Sequence, residues 1–129
     1  MAQIKIYGLR QLFDARRQAI STAIHQSIIS VLEYPSEKKF HRFIGLDAGD
    51  FIYPDDRSEN YLIIEISMFE GRSAAAKKTL IRTLFSNIEA DVGISPQDVE
   101  ITIFETPKQN WGIRGKPGDE LALGYKVEV

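Results

Sequence analysis

The sequence predicts an α/β fold: a duplicated β-α-β unit forming a four-stranded sheet, with two helices on one face and short hairpins beyond it. Three observations predict it. Two stretches of apolar alternation, residues 3–8 and 61–68, each precede a long run with apolar residues three and four apart. Both helical runs end near a proline, Pro35 or Pro96, and a further alternating stretch follows each. The two copies are offset by about 60 residues (Ile4 against Leu62, Pro35 against Pro96), a spacing that suggests an internal repeat.

The elements follow in order. In residues 3–8, Ile4 and Ile6 face one way and Gln3, Lys5 and Tyr7 the other, as in a half-buried strand. Leu12, Phe13, Ala19, Ile20, Ala23, Ile24, Ile28, Val31 and Leu32 then form one apolar helix face, with Asp14, Arg16, Arg17 and Gln18 mostly opposite. Tyr34-Pro35 ends that helix, because a residue before proline is pushed out of the helical region. A second strand is expected over residues 39–46. Residues 47–60, rich in Asp, Gly, Pro and aromatics, read as a loop or arm with its own apolar anchor. The second unit opens with Leu62, Ile64, Ile66 and Met68 on one side of a strand. Ser73 is the expected N-cap of a helix carrying Leu80, Ile81, Leu84, Phe85, Ile88 and Val92, and Gly93 its C-terminal stop. After Ser95-Pro96, Val99, Ile101 and Ile103 begin another strand. Residues 106–129 read as a short hairpin and a last strand through Leu121, Leu123, Tyr125 and Val127, laid against a neighbouring subunit. The whole chain, 1–129, is expected to form one domain, with pseudo-repeats at about 2–46 and 61–105 and the tail at 106–129.

A β-α-β crossover makes its two strands parallel and is right-handed. Two helices then cover one sheet face, and the other is left open. Depending on register it carries residues such as Ile63 and Ile101, which points to a homo-oligomer.

Composition narrows the function. The chain has 129 residues, 43% hydrophobic and 26% charged, with 16 basic and 18 acidic side chains and no cysteine. This excludes thiol chemistry and disulfides and argues against nucleic acid as the main partner. No apolar run approaches the roughly 20 residues of a membrane helix. Lys5 and Arg10 interrupt any secretory signal, so a cytoplasmic, membrane-free protein is expected. His25 and His41 share no helical or strand spacing, so no metal site is expected. Asp55-Asp56 lacks calcium-loop spacing, and Gly112-Ile113-Arg114-Gly115 lacks the context of a dinucleotide fingerprint. No cofactor is expected. Arg16-Arg17 and Lys77-Lys78 read as solvated helix faces.

The sharpest local feature is Glu70-Gly71-Arg72-Ser73, after a strand and opening a helix. Gly71 permits the turn. Arg72 at a helix N-terminus, where backbone N–H groups face outward, suits a carboxylate or other anion. The alternative is that Arg72 only pairs with Glu70 at the loop surface.

This motif is followed by Gly93-Ile94-Ser95-Pro96, a strand ending at Glu105, and Asn110-Trp111-Gly112-Ile113-Arg114-Gly115. In this order and spacing the set resembles the tautomerase superfamily. The resemblance is strongest over residues 61–118, and the duplication extends it toward the fused-unit members, such as malonate semialdehyde decarboxylase, rather than the single-unit 4-oxalocrotonate tautomerases. It implies a tautomerase/MIF-like fold with a four-stranded mixed sheet, assembly as a homotrimer, and keto–enol isomerase-type chemistry on a small carboxylate-bearing enol or 2-oxo acid. The family's catalytic group is an N-terminal proline amine, helped by an arginine and walled by an aromatic in the last hairpin. By position the resemblance makes Ala2 the amine, Arg72 the arginine and Trp111 the wall, with Ile113 and Lys38 also at the substrate. Alanine stands where the proline belongs, Lys38 where decarboxylase-type relatives carry an acid, and Glu70 where they carry a second arginine. The resemblance therefore implies activity that is weakened or lost. The other expectation is a non-catalytic trimeric binding or structural homologue.

Overall fold

The computed structural model describes residues 2–122. Alternation builds β1 (Ala2–Leu9), in which Ala2, Ile4 and Ile6 are buried and Gln3, Lys5 and Tyr7 are half-exposed. The three-and-four spacing builds α1 (Arg10–Leu32), which buries Leu12, Phe13, Ile20, Ala23, Ile24, Ile28 and Leu32. Glu33 takes a left-handed conformation, φ 53°, and Tyr34-Pro35 follow as non-helical chain. β2 (His41–Leu46) starts two residues later than the alternation suggested. The second unit comprises β3 (Leu62–Phe69), α2 (Ala74–Val92) and β4 (Val99–Thr106). The α2 ends match the expected caps. The Ser73 side chain accepts from the Ala76 N–H, and Gly93, at φ 76°, donates its N–H to the Glu89 carbonyl. A small hairpin, β5 (Gly112–Ile113) and β6 (Lys116–Pro117), closes the described chain. Of the tail strand read from the sequence, Leu123, Tyr125 and Val127 lie outside the described residues.

The sheet order is β2-β1-β3-β4. β1 and β2 are parallel, β3 and β4 are parallel, and the central pair β1–β3 is antiparallel, so the sheet is mixed. Both helices lie on one face. Between helices and sheet sit Ile4, Ile6, Ile20, Ile24, Ile28, Leu62, Ile64, Ile66, Leu80, Leu84 and Ile88, each at most 2% exposed. Fully burying each such side chain is worth about 1.5–3 kcal/mol, which holds the helices to the sheet. At one helix end the Arg16 guanidinium donates to the Val92 carbonyl at 2.8 Å, and midway the Asn87 amide donates to Ser27 Oγ at 3.0 Å.

The open face differs from the sequence expectation. Ile101 is in register with the fully buried Ile64 and packs on the core, so it belongs to the helix side. Ile63 does face outward, but it packs beside Leu9, Leu46, Phe51, Tyr53 and Tyr61, the apolar anchor of the 47–60 arm. The rest of that face is mostly polar. Tyr7 donates to Glu65 at 3.1 Å and Arg42 to Gln3 at 3.0 Å, with exposed Phe104 at the edge. No helix among the described residues is long and apolar enough to cross a membrane.

Candidate active site

The topology brings four element ends to one place. In each unit the helix returns antiparallel to its strand, so the C-terminal end of α1 comes back to the start of β1. The antiparallel β1–β3 pair, with Ala2 opposite Met68, sets that start beside the end of β3. The residues leading into α2 therefore arrive at the same point.

Three side chains or backbone groups meet there. The Ala2 N–H donates to the Tyr34 hydroxyl at 3.0 Å. Tyr34 and Arg72 are both 4% exposed, and Ala2 is 3% exposed. Arg72 turns into the protein, its Nη1 3.5 Å from the Phe69 carbonyl oxygen, while Glu70 stays on the surface. Burial pushes the Tyr34 phenol above its ordinary value, and the Ala2 N–H and the Arg72 charge pull it back by less. The phenol is thus a neutral hydroxyl near pH 7, able both to donate and to accept.

The small hairpin forms the adjoining wall. Trp111 packs edge-on against Phe69, ring centroids 5.2 Å apart. The Gly118 N–H donates to the Trp111 carbonyl at 2.7 Å. A side chain at Gly118 would start 2.6 Å from the Lys108 carbonyl and 2.9 Å from the Phe69 ring, so only glycine lets the hairpin lie this close. An open cleft of about 520 Å³ beside it is lined by Glu70, Gly71, Pro107, Lys108, Gln109 and Asp119. Across α2 and β4 the Lys77 ammonium and Glu105 carboxylate pair at 2.6 Å.

Of the residues singled out from sequence, Ala2 and Arg72 converge, with Tyr34 between them. Trp111 stands one ring away, on Phe69. Ile113 is half-exposed in β5. Lys38 is half-buried in the turn between α1 and β2, its N–H donating to the Pro35 carbonyl at 3.1 Å. Sequence reasoning missed Tyr34 as a site residue and used it only to end α1. The available signal was a phenol, rather than a plain hydrophobe, at the end of an apolar helix face.

The two histidines are also closer than their spacing suggested. Their rings lie 5.9 Å apart, edge to face. His25 Nε2 meets the Ser36 carbonyl at 2.7 Å, so that nitrogen carries a proton, and His41 Nδ1 meets Ser21 Oγ at 2.8 Å. Burial, then the Lys39 charge and His25, lowers His41 to about 4. Among the described residues no group of three or more His, Cys, Asp or Glu could hold a metal ion.

A family profile described as a tautomerase enzyme matches residues 38–114. The 2-hydroxymuconate tautomerase of Comamonas testosteroni is 39% identical over 57 residues, covering 44% of this chain and 90% of that protein. A malonate semialdehyde decarboxylase, FG41, solved as inhibited by 3-bromopropiolate, superposes with a TM-score of 0.81 at 26% identity, covering 94% of this chain and 98% of that one. A fused 4-OT solved as an asymmetric trimer gives a TM-score of 0.79 at 18% identity over 91% of this chain and 96% of that one, a likeness of fold.

Proposed function

The chain belongs to the tautomerase family, and from that premise we propose that it carries out slow keto–enol isomerisation of a small carboxylate-bearing enol or 2-oxo acid. The observation that carries this reading is the burial of the Ala2 nitrogen and the Arg72 guanidinium at one point of the sheet, joined by Tyr34. Removal of Met1 makes that nitrogen an α-amine, with an ordinary pKa of about 7.7–8. Burial and the nearby guanidinium both disfavour its charged form and lower that value, so the free base is present at neutral pH. The amine takes the enol O–H proton, the oxygen pair closes to a carbonyl, and the carbon end of the former double bond takes the proton back from the ammonium. No proton is gained or lost overall. Arg72 holds the substrate carboxylate, Trp111 and Ile113 wall the pocket, and Lys38 sits at its edge. A primary amine is not locked about its N–Cα bond by a ring, as a proline nitrogen is, and the reaction is correspondingly slow.

A second reading has its own support. Ala2 and Arg72 are each at most 4% exposed, so the site is nearly closed in a single chain. A non-catalytic binding or structural homologue would look the same. In either reading we propose a homotrimer. The trimeric fused relative has this architecture, and Ile52 and Phe104, 92% and 51% exposed, are large apolar side chains left for a neighbour to cover.

Phenylenolpyruvate ketonisation tests the catalytic reading. Native protein should show a slow but enzyme-proportional rate, and Arg72→Ala should raise KM. Losing a charge-assisted carboxylate contact worth about 1.5–3 kcal/mol corresponds to a roughly 10- to 150-fold rise. A native rate equal to buffer, with a folded trimer, leaves the non-catalytic reading standing.

A further inference from the structure

We propose that Tyr34 is the positioning residue for the Ala2 amine, doing by hydrogen bond what a proline ring does covalently. The inference rests on the catalytic reading of that amine and deepens it.

The strand register explains why the position exists. Along β1, the Ile4 N–H donates across to the Phe40 carbonyl. Ala2 has the same parity, so its nitrogen points to the same side, but the first ladder pair with β2 is Ile4 with His41. Ahead of the start of β2 no described residue pairs with Ala2 on that side of β1, and the Tyr34 hydroxyl takes the N–H instead, at 3.0 Å.

Tyr34 is well fixed for this task. It precedes Pro35 and follows the left-handed Glu33, and the next turn closes with the Lys38 N–H on the Pro35 carbonyl. His25 Nε2–H holds the Ser36 carbonyl at 2.7 Å, tying the turn to α1. Groups locked by packing and by such outer hydrogen bonds hold a reactive atom in one orientation.

The consequence for a primary amine is specific. Its two N–H bonds and lone pair can point three ways about N–Cα, and only some aim the lone pair at the substrate. An N–H held on Tyr34 removes most of that freedom. The same oxygen accepts from the ammonium more strongly than from the neutral amine, so it also favours the charged form. Other charges at this end are Glu70 and Arg72 before α2, Glu33, Glu37, Lys38 and Lys39 between α1 and β2, and the Lys77–Glu105 pair across α2 and β4.

The test compares native protein with Tyr34→Phe, both with Met1 removed by an aminopeptidase and verified by intact mass. The Ala2 amine is titrated by ¹⁵N NMR. The phenylalanine variant should lower the amine's pKa by about one unit, tenfold in the ammonium-to-amine ratio. It should also lower kcat on phenylenolpyruvate with little change in KM. A folded variant with an unshifted amine would overturn the proposal and leave Tyr34 as a strand-end cap. Should Tyr34→Phe not fold, native sequence made with 3-fluorotyrosine gives a poorer acceptor oxygen and should lower the amine's pKa in the same direction. No shift there overturns the proposal equally. Because the titration does not need turnover, a shifted amine in an inactive protein sinks only the catalytic reading, and an unshifted amine in an active one sinks only this inference.

Discussion

Ala2→Pro should raise ketonisation by about 10- to 100-fold, and the structure supplies each part of that figure. The first residue of β1 is a place where proline costs no ladder bond, because the Ala2 N–H goes to Tyr34 and not to a strand. Once Met1 is removed, a prolyl nitrogen still carries N–H to give to that hydroxyl. The ring must fit a site 3% exposed and opposite Met68, so a stability cost of about 1–3 kcal/mol from overpacking is expected. The gain comes from orientation: a reacting atom misplaced by about 1 Å can cost 100-fold, and the ring removes rotation about N–Cα. The assay is phenylenolpyruvate ketonisation across pH 5–9, with intact mass confirming that the chain begins at residue 2. The rate should rise with pH as the prolyl ammonium loses its proton, with a midpoint below that of a free prolyl amine. A correctly processed, folded variant no faster than native would show that Lys38 and Glu70 have already dismantled the site. A fast variant with an unshifted midpoint would show that burial and Arg72 do not tune the amine.

Two further outcomes follow from the geometry. His41 titrates at about 4 when folded against about 6.5 unfolded, so between those values the unfolded chain binds the proton and the folded chain does not. Stability contributed by this group is present above pH 6.5 and is lost as pH falls towards 4, by up to about 3 kcal/mol. Urea melts at pH 7 and 4.5 should show the loss, and His41→Asn, which keeps a hydrogen-bonding group for Ser21, should shrink it; an equally steep variant would refute the assignment. For assembly, light scattering at micromolar concentration should give three times the mass of one chain, and a monomer would sink the trimer.

The contrast between what the sequence disclosed and what it hid follows from range. Alternation in β1 and β3, the helix faces and the Ser73 and Gly93 caps are local, and local spacing specifies them without knowledge of the fold. The outward face of β4 was ambiguous because Ile101 and Ile63 are equally apolar, and only the β3–β4 register, Ile64 with Ile101, assigns them to opposite sides. His25 and His41 lie on a helix and a strand, and only the right-handed crossover brings their rings to 5.9 Å. Tyr34 was hidden for the same reason. Its contact with Ala2 spans 32 residues and depends on β2 starting at His41, late enough to leave the first N–H of β1 unmatched. Arg72 could be picked from a motif because its neighbours Gly71 and Ser73 fix it locally. The role of the Ala2 nitrogen could be placed only by resemblance, and the hydroxyl that accepts its N–H only by the return of α1 and the start of β2. Under the proposed function, the absence of a ring at Ala2 and the presence of the Tyr34 hydroxyl are therefore best weighed together. The Ala2 N–H is given to a buried hydroxyl, and the titration in Tyr34→Phe measures how strongly that hydroxyl holds the amine.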